Sequence, residues 1–441
     1  MGDQEKTKRI IQPRLLKGFR DSLPEDEIPK KAIIAKLEGL FSSYGFVPID
    51  TPALEYTEVL LGKGGGETDK QIFHFADNGG RDVAMRFDLT VPFARFLALH
   101  LNELPLPFKR FHINKVWRGE NPQKGRFREF IQCDFDIVGL DNSEADYEIL
   151  SVMHASFAAI GVENFHFHLA HRGLFNQMLA HLGIAEHNTE ILRIVDKLRK
   201  IGTDEVKEQL MALLASSEKA DAILAYIEKA DEDEPFLTTL SRLEELGGGE
   251  SEHSIRMRTI YAYLCGAGIE EHFILDPSIT RGLDYYTGLV YETFLTDLPH
   301  YGSVCSGGRY NDLASLYTKE HLPGVGASIG LDRLMSALSE LQSPIAQAGS
   351  SADVAILNTA GNFTACDLAG RILRSEGIAT SVYLAAKKIA AQYKWAEAQA
   401  IRYALISEDG GTFTLKDLRD KESWQGISAT EAATIIRKEH H

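Results

Sequence analysis

The sequence predicts a mixed α/β protein of the α+β kind, built on an antiparallel hairpin, interrupted by a helical insertion and closed by a small α/β domain. Three observations carry that prediction. Two alternating runs, Arg110 to Arg118 and Arg126 to Ile137, bracket a turn-forming segment. From about Gly173 to Gly249 the spacing becomes helical, as in EILRIVDKLRKIG and DEVKEQLMALL. Beyond QSPIAQAGSS, a linker by composition from Gln342 to Ser351, strands and helices alternate as βαβαββ.

The hairpin comes first because its two faces differ so sharply. Side chains alternate along a strand, so Phe127, Ile131, Cys133, Phe135 and Ile137 form an apolar back. Arg126, Arg128, Phe130, Gln132, Asp134 and Asp136 form a front of guanidinium, ring, amide and carboxylate. The preceding run sorts the same way, with Phe111, Ile113 and Trp117 opposed to Arg110, His112, Asn114 and Arg118. Between them, Gly119 to Gly125 holds the turn formers Asn121 and Pro122. Phe108 to Gln132 carries seven Lys or Arg against two acids, in a chain whose net charge is −16. A solvated edge hairpin is the plain alternative. Phe130 among arginines, and a basic loop in an acidic protein, favour a face that holds a polyphosphate.

The other elements follow in order. Glu25 to Phe46 has helical apolar spacing and leads into VPIDTPALEY, which Pro48 and Pro52 confine to an edge or a chain crossing. In MRFDLTVPFARF, Met85 to Phe96, Asp88 and Thr90 share one strand parity. Strand and turn patterns return from Ile274 to Gly330. The final domain places helices over Phe363 to Arg374, about Ile389 to Ala400 and near Glu431 to Arg437, between the strands DVAILNT, TSVYLA, RYALISE and TFTLKDL.

Composition bounds the rest. A chain of 441 residues implies two or three domains. No apolar run approaches bilayer length and the N-terminus has no apolar signal core, so a soluble cytoplasmic protein is expected. Gly2 is not followed by the Ser or Thr that a myristoylation signal places at Lys6. Cys133, Cys265, Cys305 and Cys366 form no CxxC pair, which predicts reduced thiols and no metal knuckle. From Ser351 onward there are 11 basic and 11 acidic residues, so the acidic excess lies in the first 350. His440 and His441 read as a tag remnant.

Two further stretches complete the pattern. RGLDYYTGLVYETF, Arg281 to Phe294, sets an arginine beside adjacent tyrosines, and SGGRYNDL, Ser306 to Leu313, supplies a Gly-Gly floor. Any one tyrosine is readily an ordinary sheet aromatic, but the group is not. PGVGASIGLDRL adds small residues before Arg333; taken alone, such a glycine run marks packing.

The segment FKRFHINKVWRGENPQKGRFREFIQCDFD resembles motif 2 of the class II aminoacyl-tRNA synthetases, and the helix and Pro-containing strand before it resemble motif 1. PGVGASIGLDRL resembles motif 3, and Arg281 to Phe294 is similar to a stretch peculiar to the histidyl-tRNA synthetases. The resemblance runs from Gly18 to Asp21, GFRD, through the last domain. It implies a class II antiparallel sheet flanked by helices over 1–345, with the insertion at about 173–250. An anticodon-binding α/β domain would occupy 352–441.

The resemblance also implies roles. Arg118 would grip the α-phosphate of ATP, Glu120 read the adenine amino group, Phe130 stack on adenine, and Arg126 and Arg333 bind or cover the phosphates. Arginine suits this because its planar fork stays charged and bonds oxygens in pairs. Arg281 would supply charge beside the reacting carboxylate, making Arg118 and Arg281 the catalytic pair. Asp88, Thr90 and Gln132 would hold the ammonium end of L-histidine, Asp136 and Tyr286 the imidazole, with Tyr285 and Tyr310 as walls. Asn121, Gln123 and Lys124 would meet the acceptor end of tRNA(His). Mg2+ would arrive with ATP without a protein site of its own, and motif 1 implies a homodimer.

Two features qualify the match. Asp88 and Asp136 stand where many bacterial members have Glu, as in the eukaryote-type pattern. Ala390 and Ala391 stand before Gln392 where the family commonly has two lysines, which bears on anticodon contacts and not on chemistry. The alternative function is a catalytically silent synthetase-like regulator that senses histidine or uncharged tRNA. The full set Arg118, Glu120, Arg126, Arg281 and Arg333, with a C-terminal domain, favours the ligase.

Overall fold

The computed structural model describes residues 11–62, 71–228, 234–279, 285–347, 349–359, 362–408 and 411–439. The chain divides into two compact units, one of Met1–Asp21 with Ile33–Ser343 and one of Ser22–Ala32 with Pro344–His441.

The larger unit is built on an eight-stranded sheet ordered β1-β5-β6-β11-β10-β9-β7-β8. Its strands are β1 Val47–Pro48, β5 Phe108–Trp117, β6 Glu129–Val138, β7 Phe165–His171, β8 Phe273–Leu275, β9 Leu289–Leu295, β10 Cys305–Tyr310 and β11 Gly324–Gly330. Pairing is antiparallel from β5 through β7, whereas β1 joins β5 and β8 joins β7 in parallel. The proline-limited run is thus the edge it was expected to be. A small sheet of β2 Leu54–Tyr56, β3 His74–Ala76 and β4 Asp82–Met85 accompanies it.

The apolar back of β6 packs as the parity predicts. Helix α1, Pro24–Ser43, contributes Phe41, whose ring centroid lies 4.8 Å from that of Phe135. Helices α2 Thr57–Leu61, α3 Thr90–His100 and α4 Ser143–Ala159 follow in the chain. Asn142 caps α4 by accepting from the Ala145 amide.

The insertion lies between β7 and β8. It comprises α5 Arg172–His181, α6 Asn188–Val195, α7 Leu198–Ile201, α8 Thr203–Leu214, α9 Ser217–Ile227, α10 Phe236–Leu246 and α11 Glu252–Ala267. The helical pattern therefore runs past Gly249. Gly248 and Gly249, with φ of +85° and +126°, end α10, and a capping box between Ser251 and Ser254 starts α11 at once. Helix α12, Leu331–Glu340, leaves the end of β11.

The smaller unit contains a five-stranded sheet ordered β13-β12-β14-β15-β16. Its elements are β12 Val354–Leu357, α13 Phe363–Ser375, β13 Thr380–Val382, α14 Ile389–Ala398, β14 Tyr403–Ser407, β15 Phe413–Asp417, β16 Ser423–Ile427 and α15 Ala429–Glu439. The expected βαβαββ order is present, with β16 as an additional edge strand. SWQGI lacks a buried face and carries Gly426 at φ +68°, so alternation could not reveal it. On α14, Ala390 and Ala391 are exposed, while Gln392 is buried and donates to the carbonyls of Asn358 and Lys387 at 2.9 and 2.8 Å.

Candidate active site

The site is assembled on the central strands. In the β5–β6 register Asn114 faces Gln132, His112 faces Asp134 and Arg110 faces Asp136. On the other flank β11 sets Gly330, Ser328 and Gly326 against the same three residues of β6. Small residues there have a definite purpose. A Cβ on Gly326 would stand 2.0 Å from Asp136 Oδ1, and one on Gly308 2.6 Å from the Leu289 carbonyl and 2.9 Å from the Tyr286 ring. The Gly-Gly floor is a steric requirement of the residues lying over it.

A cavity of about 480 Å³ opens along this face. Arg118, Glu120, Arg126, Phe130, Gln132 and Arg333 all line it. The guanidinium of Arg118 stands 5.2 Å from the Phe130 ring centroid and 4.3 Å from that of Phe87, and its Nε donates to the Phe87 carbonyl at 3.2 Å. Arg126 Nη1 is 3.7 Å from Glu120 Oε2. Arg333 donates to the Ser303 carbonyl. Burial, then repulsion from Arg126 and Arg118, lowers Arg333 to about 10. Burial also lowers Arg118, opposed by Asp88 and Glu120. Three crowded guanidinium groups make a receptor for a multiply charged anion.

The second cluster lies further along β6. Asp136 is buried, with Arg110 Nη2 2.7 Å from Oδ2 and the Tyr310 hydroxyl donating to Oδ1 at 2.5 Å. Burial raises Asp136, while Arg110 and Tyr310 oppose the shift. Tyr285 meets Tyr286 edge-on at 4.9 Å and Tyr310 at 6.0 Å. Burial pushes all three phenols up, so they serve as donors. Asp88 Oδ1 accepts from the Val91 amide at 3.0 Å, and Thr90 Oγ1 is 3.4 Å from Asp134 Oδ2. Gln132 Nε2 donates to Ser328 Oγ at 2.7 Å.

Several expectations change in detail. Asp88 and Thr90 do not share a strand face: β4 ends at Met85 and Thr90 opens α3, so the turn into the helix brings them together. The apolar back begins at Ile131 and not at Phe127, because β6 starts at Glu129. Phe127 instead lines the cavity beneath the Arg20 guanidinium, 4.1 Å away, which is itself held by Asp332 at 2.6 Å. Arg128 turns from the front to donate to the carbonyls of Glu120 and Lys17 at 3.0 and 3.3 Å. In the turn Asn121 and Gln123 are exposed, while Lys124 pairs with Glu340. Arg281 lies outside the described residues.

Sequence reading passed over some participants. Arg110 and Asp134 were visible on the right parity but were given no role, Ser328 counted only as one of several small residues, and Asp332 anchors the Ile131 amide at 2.7 Å. Val195, Asp196 and Leu198 reach the cavity from the insertion, which no local pattern signals. Among the described residues no cluster suited to a metal ion occurs and no helix is long and apolar enough to cross a membrane. Cys133, Cys305 and Cys366 are buried free thiols and Cys265 is an exposed one.

Known proteins share this arrangement. The family model described as histidyl-tRNA synthetase matches residues 18–334. A histidine–tRNA ligase of Treponema denticola is 54% identical over 403 residues, 90% of this chain and 89% of its own. One of Rhodopirellula baltica is 44% identical, covering 94% of this chain and 95% of its own. The crystal structure of histidyl-tRNA synthetase from Nostoc sp. PCC 7120 superposes with a TM-score of 0.86 at 30% identity, over 98% of this chain and all of that one. The chain belongs to the histidyl-tRNA synthetase family.

Proposed function

We propose that the chain is an ATP-dependent histidine–tRNA ligase. It joins L-histidine to ATP as histidyl-adenylate, releasing pyrophosphate, and transfers the histidyl group to the 3′ end of tRNA(His), releasing AMP. The observation that carries this reading is the cavity in which Arg118, Arg126 and Arg333 converge beside Phe130, reached by Gln132 from the strand that also bears Asp136.

In the first step a carboxylate oxygen of histidine attacks the α-phosphorus in line with departing pyrophosphate. Charge builds on the phosphoryl oxygens, and preset donors stabilise it. Arg118 takes the α-phosphate, Arg126 and Arg333 the terminal phosphates, Phe130 and Glu120 the adenine. The family resemblance assigns to Arg281 the charge beside the reacting carboxylate. Asp88, Thr90 and Gln132 receive the ammonium, Asp136 and Tyr286 the imidazole, with Tyr285 and Tyr310 as walls. A pocket that hydrogen-bonds a polar side chain rejects analogues steeply because they leave its groups unpaired. Mg2+ carried by ATP would neutralise phosphate charge.

In the second step a ribose hydroxyl of the terminal nucleotide attacks the adenylate carbonyl. Asn121, Gln123 and Lys124 meet the acceptor end, once Lys124 leaves Glu340; their exposure on the turn supports this reading. Residues 1–345 form the catalytic domain, with the insertion running from α5 through α11, and 352–441 form the anticodon-binding domain. The enzyme acts in the cytoplasm as a homodimer, a reading supported by Val47, Leu54 and Tyr56, which remain exposed by 45, 44 and 50%.

Histidine-dependent exchange of pyrophosphate into ATP tests the reading directly. A regulator that only senses histidine would bind it without exchange.

A further inference from the structure

We propose that Asp134 is a specificity-determining residue of the amino-acid pocket, the carboxylate that accepts a hydrogen bond from the α-ammonium group of L-histidine. The inference rests on the histidine subsite proposed above and adds to it a residue with no role there.

Placement comes first. Gln132, Asp134 and Asp136 are successive same-face residues of β6, so a substrate that spans Gln132 and Asp136 must pass over Asp134. Across the strand pair to β11 its neighbour is Ser328, whose Oγ accepts from Gln132 and whose own proton is left to donate toward Asp134. Asp134 is 1% exposed, and its Oδ1 makes no hydrogen bond among the described residues. Its Oδ2 lies 3.4 Å from Thr90 Oγ1. Buried polar atoms ordinarily find partners, so a carboxylate oxygen left without a hydrogen bond next to Gln132 and Ser328, which line the cavity, points to a further donor.

Charge says which donor. Asp88 faces Asp134 from the turn before α3, and Asp136 from the same strand. Arg110 approaches from β5 but is engaged by Asp136 at 2.7 Å, and His112 lies opposite in register. Arg86, Arg118, Cys133, Tyr285, Tyr286 and Cys305 are the other titratable groups that Asp134 influences. Arg118 points into the phosphate end and Arg86 donates to the Thr51 and Lys115 carbonyls. Burial pushes Asp134 up to about 7, with Asp136 and Asp88 adding repulsion and Arg110 and Ser328 opposing. A group so placed gains most from a cation that brings its own N–H donors. The ammonium carries three, and Asp134 shares with Thr90, whose hydroxyl lies 3.4 Å from it, the one directed to that side of the pocket.

The test uses the full-length protein and two ligands, L-histidine and 3-(imidazol-4-yl)propionate, which keeps ring and carboxylate but lacks the ammonium. Calorimetric titration of Asp134→Asn should show histidine binding weakened about 10- to 100-fold. Binding of the analogue should change by less than about threefold, and KM for histidine in pyrophosphate exchange should rise by more than kcat falls. Equal loss for both ligands, or loss for neither, overturns the proposal. Should the variant not fold, Asp134→Glu, which keeps the charge and moves it, is titrated with the same two ligands: histidine should again lose more affinity than the analogue, and an equal change overturns the assignment. Absence of histidine binding by the unmutated protein would instead overturn the functional reading on which it rests.

Discussion

Arg110 Nη2 stands 2.7 Å from Asp136 Oδ2, with both side chains buried and directly opposed on β5 and β6. The pair sits at the closed end of the amino-acid cluster, where the Tyr310 hydroxyl takes the other carboxylate oxygen at 2.5 Å. Burial raises this acid while Arg110 and Tyr310 oppose the shift, and its position is fixed from two sides.

Removing one partner of such a pair leaves a buried charge without compensation, at a cost of about 3 to 5 kcal/mol. Arg110→Met should therefore lower unfolding free energy by about that amount, read from urea midpoints at pH 7.5. The double variant Arg110→Met, Asp136→Asn should recover most of the stability without recovering histidine binding. Equal stability of the single variant and the parent would show that the pair is not held as described.

Gly326, opposite Asp136 in register, makes a sharper steric prediction. A Cβ on Gly326 would sit 2.0 Å from Asp136 Oδ1, with the Phe135 carbonyl at 2.8 Å, so the carboxylate must move. Gly326→Ala should cost about 1 to 3 kcal/mol of stability by overpacking and strip most histidine-dependent exchange. Gly39→Ala is the control. Nothing lies within 4 Å of a Cβ there, and Gly39 is exposed in α1. Replacing a helical glycine by alanine should add up to about 1 kcal/mol.

These relationships were legible in the sequence to an uneven degree. Parity along β6 identified the face of Gln132 and Asp136 because a strand has one simple period, and the paired strand obeyed it. Parity failed at Phe127 and Arg128, where the strand had not begun, and at Asp88 and Thr90, where a helix begins instead. The small unit was readable because each element carries its own apolar pattern; β16 has none. The approach of Val195 and Leu198 to the nucleotide end depends on how an insertion folds back, which no window of sequence contains. Arg110 and Asp134 were visible as residues, but their burial, and hence their meaning, was not.

Arg333 offers a test of the phosphate end. It is lowered to about 10 by burial and by repulsion from Arg126 and Arg118, so a bound polyphosphate relieves an unfavourable arrangement. Arg118→Ala and Arg333→Ala should each reduce pyrophosphate exchange by about 10²- to 10³-fold, the usual loss for one charge-stabilising donor. Each should also shrink the rise in Tm that ATP gives the parent, while histidine alone stabilises variant and parent alike. A variant that keeps the full ATP-dependent rise would remove its arginine from the phosphate site.

Asp134 links the pocket to stability through pH. In the folded chain it titrates at about 7 against its usual 3.8, burial being the largest cause. The folded state then binds the extra proton between those values and the unfolded state does not. Its contribution is favourable at acid pH and is lost as pH rises through about 7, the reverse of a salt-bridged acid. The span corresponds to a few kcal/mol on the order-of-magnitude scale of one unit per about 1.4 kcal/mol. Asp134→Asn keeps the shape without the charge, so its unfolding free energy relative to the parent should climb between pH 4 and pH 8. Urea unfolding at pH 4.5, 6 and 8 measures that climb directly. A difference that stays constant over the range would mean that Asp134 enters the folded state already ionised and satisfied, and the pocket would then need no cation from its substrate.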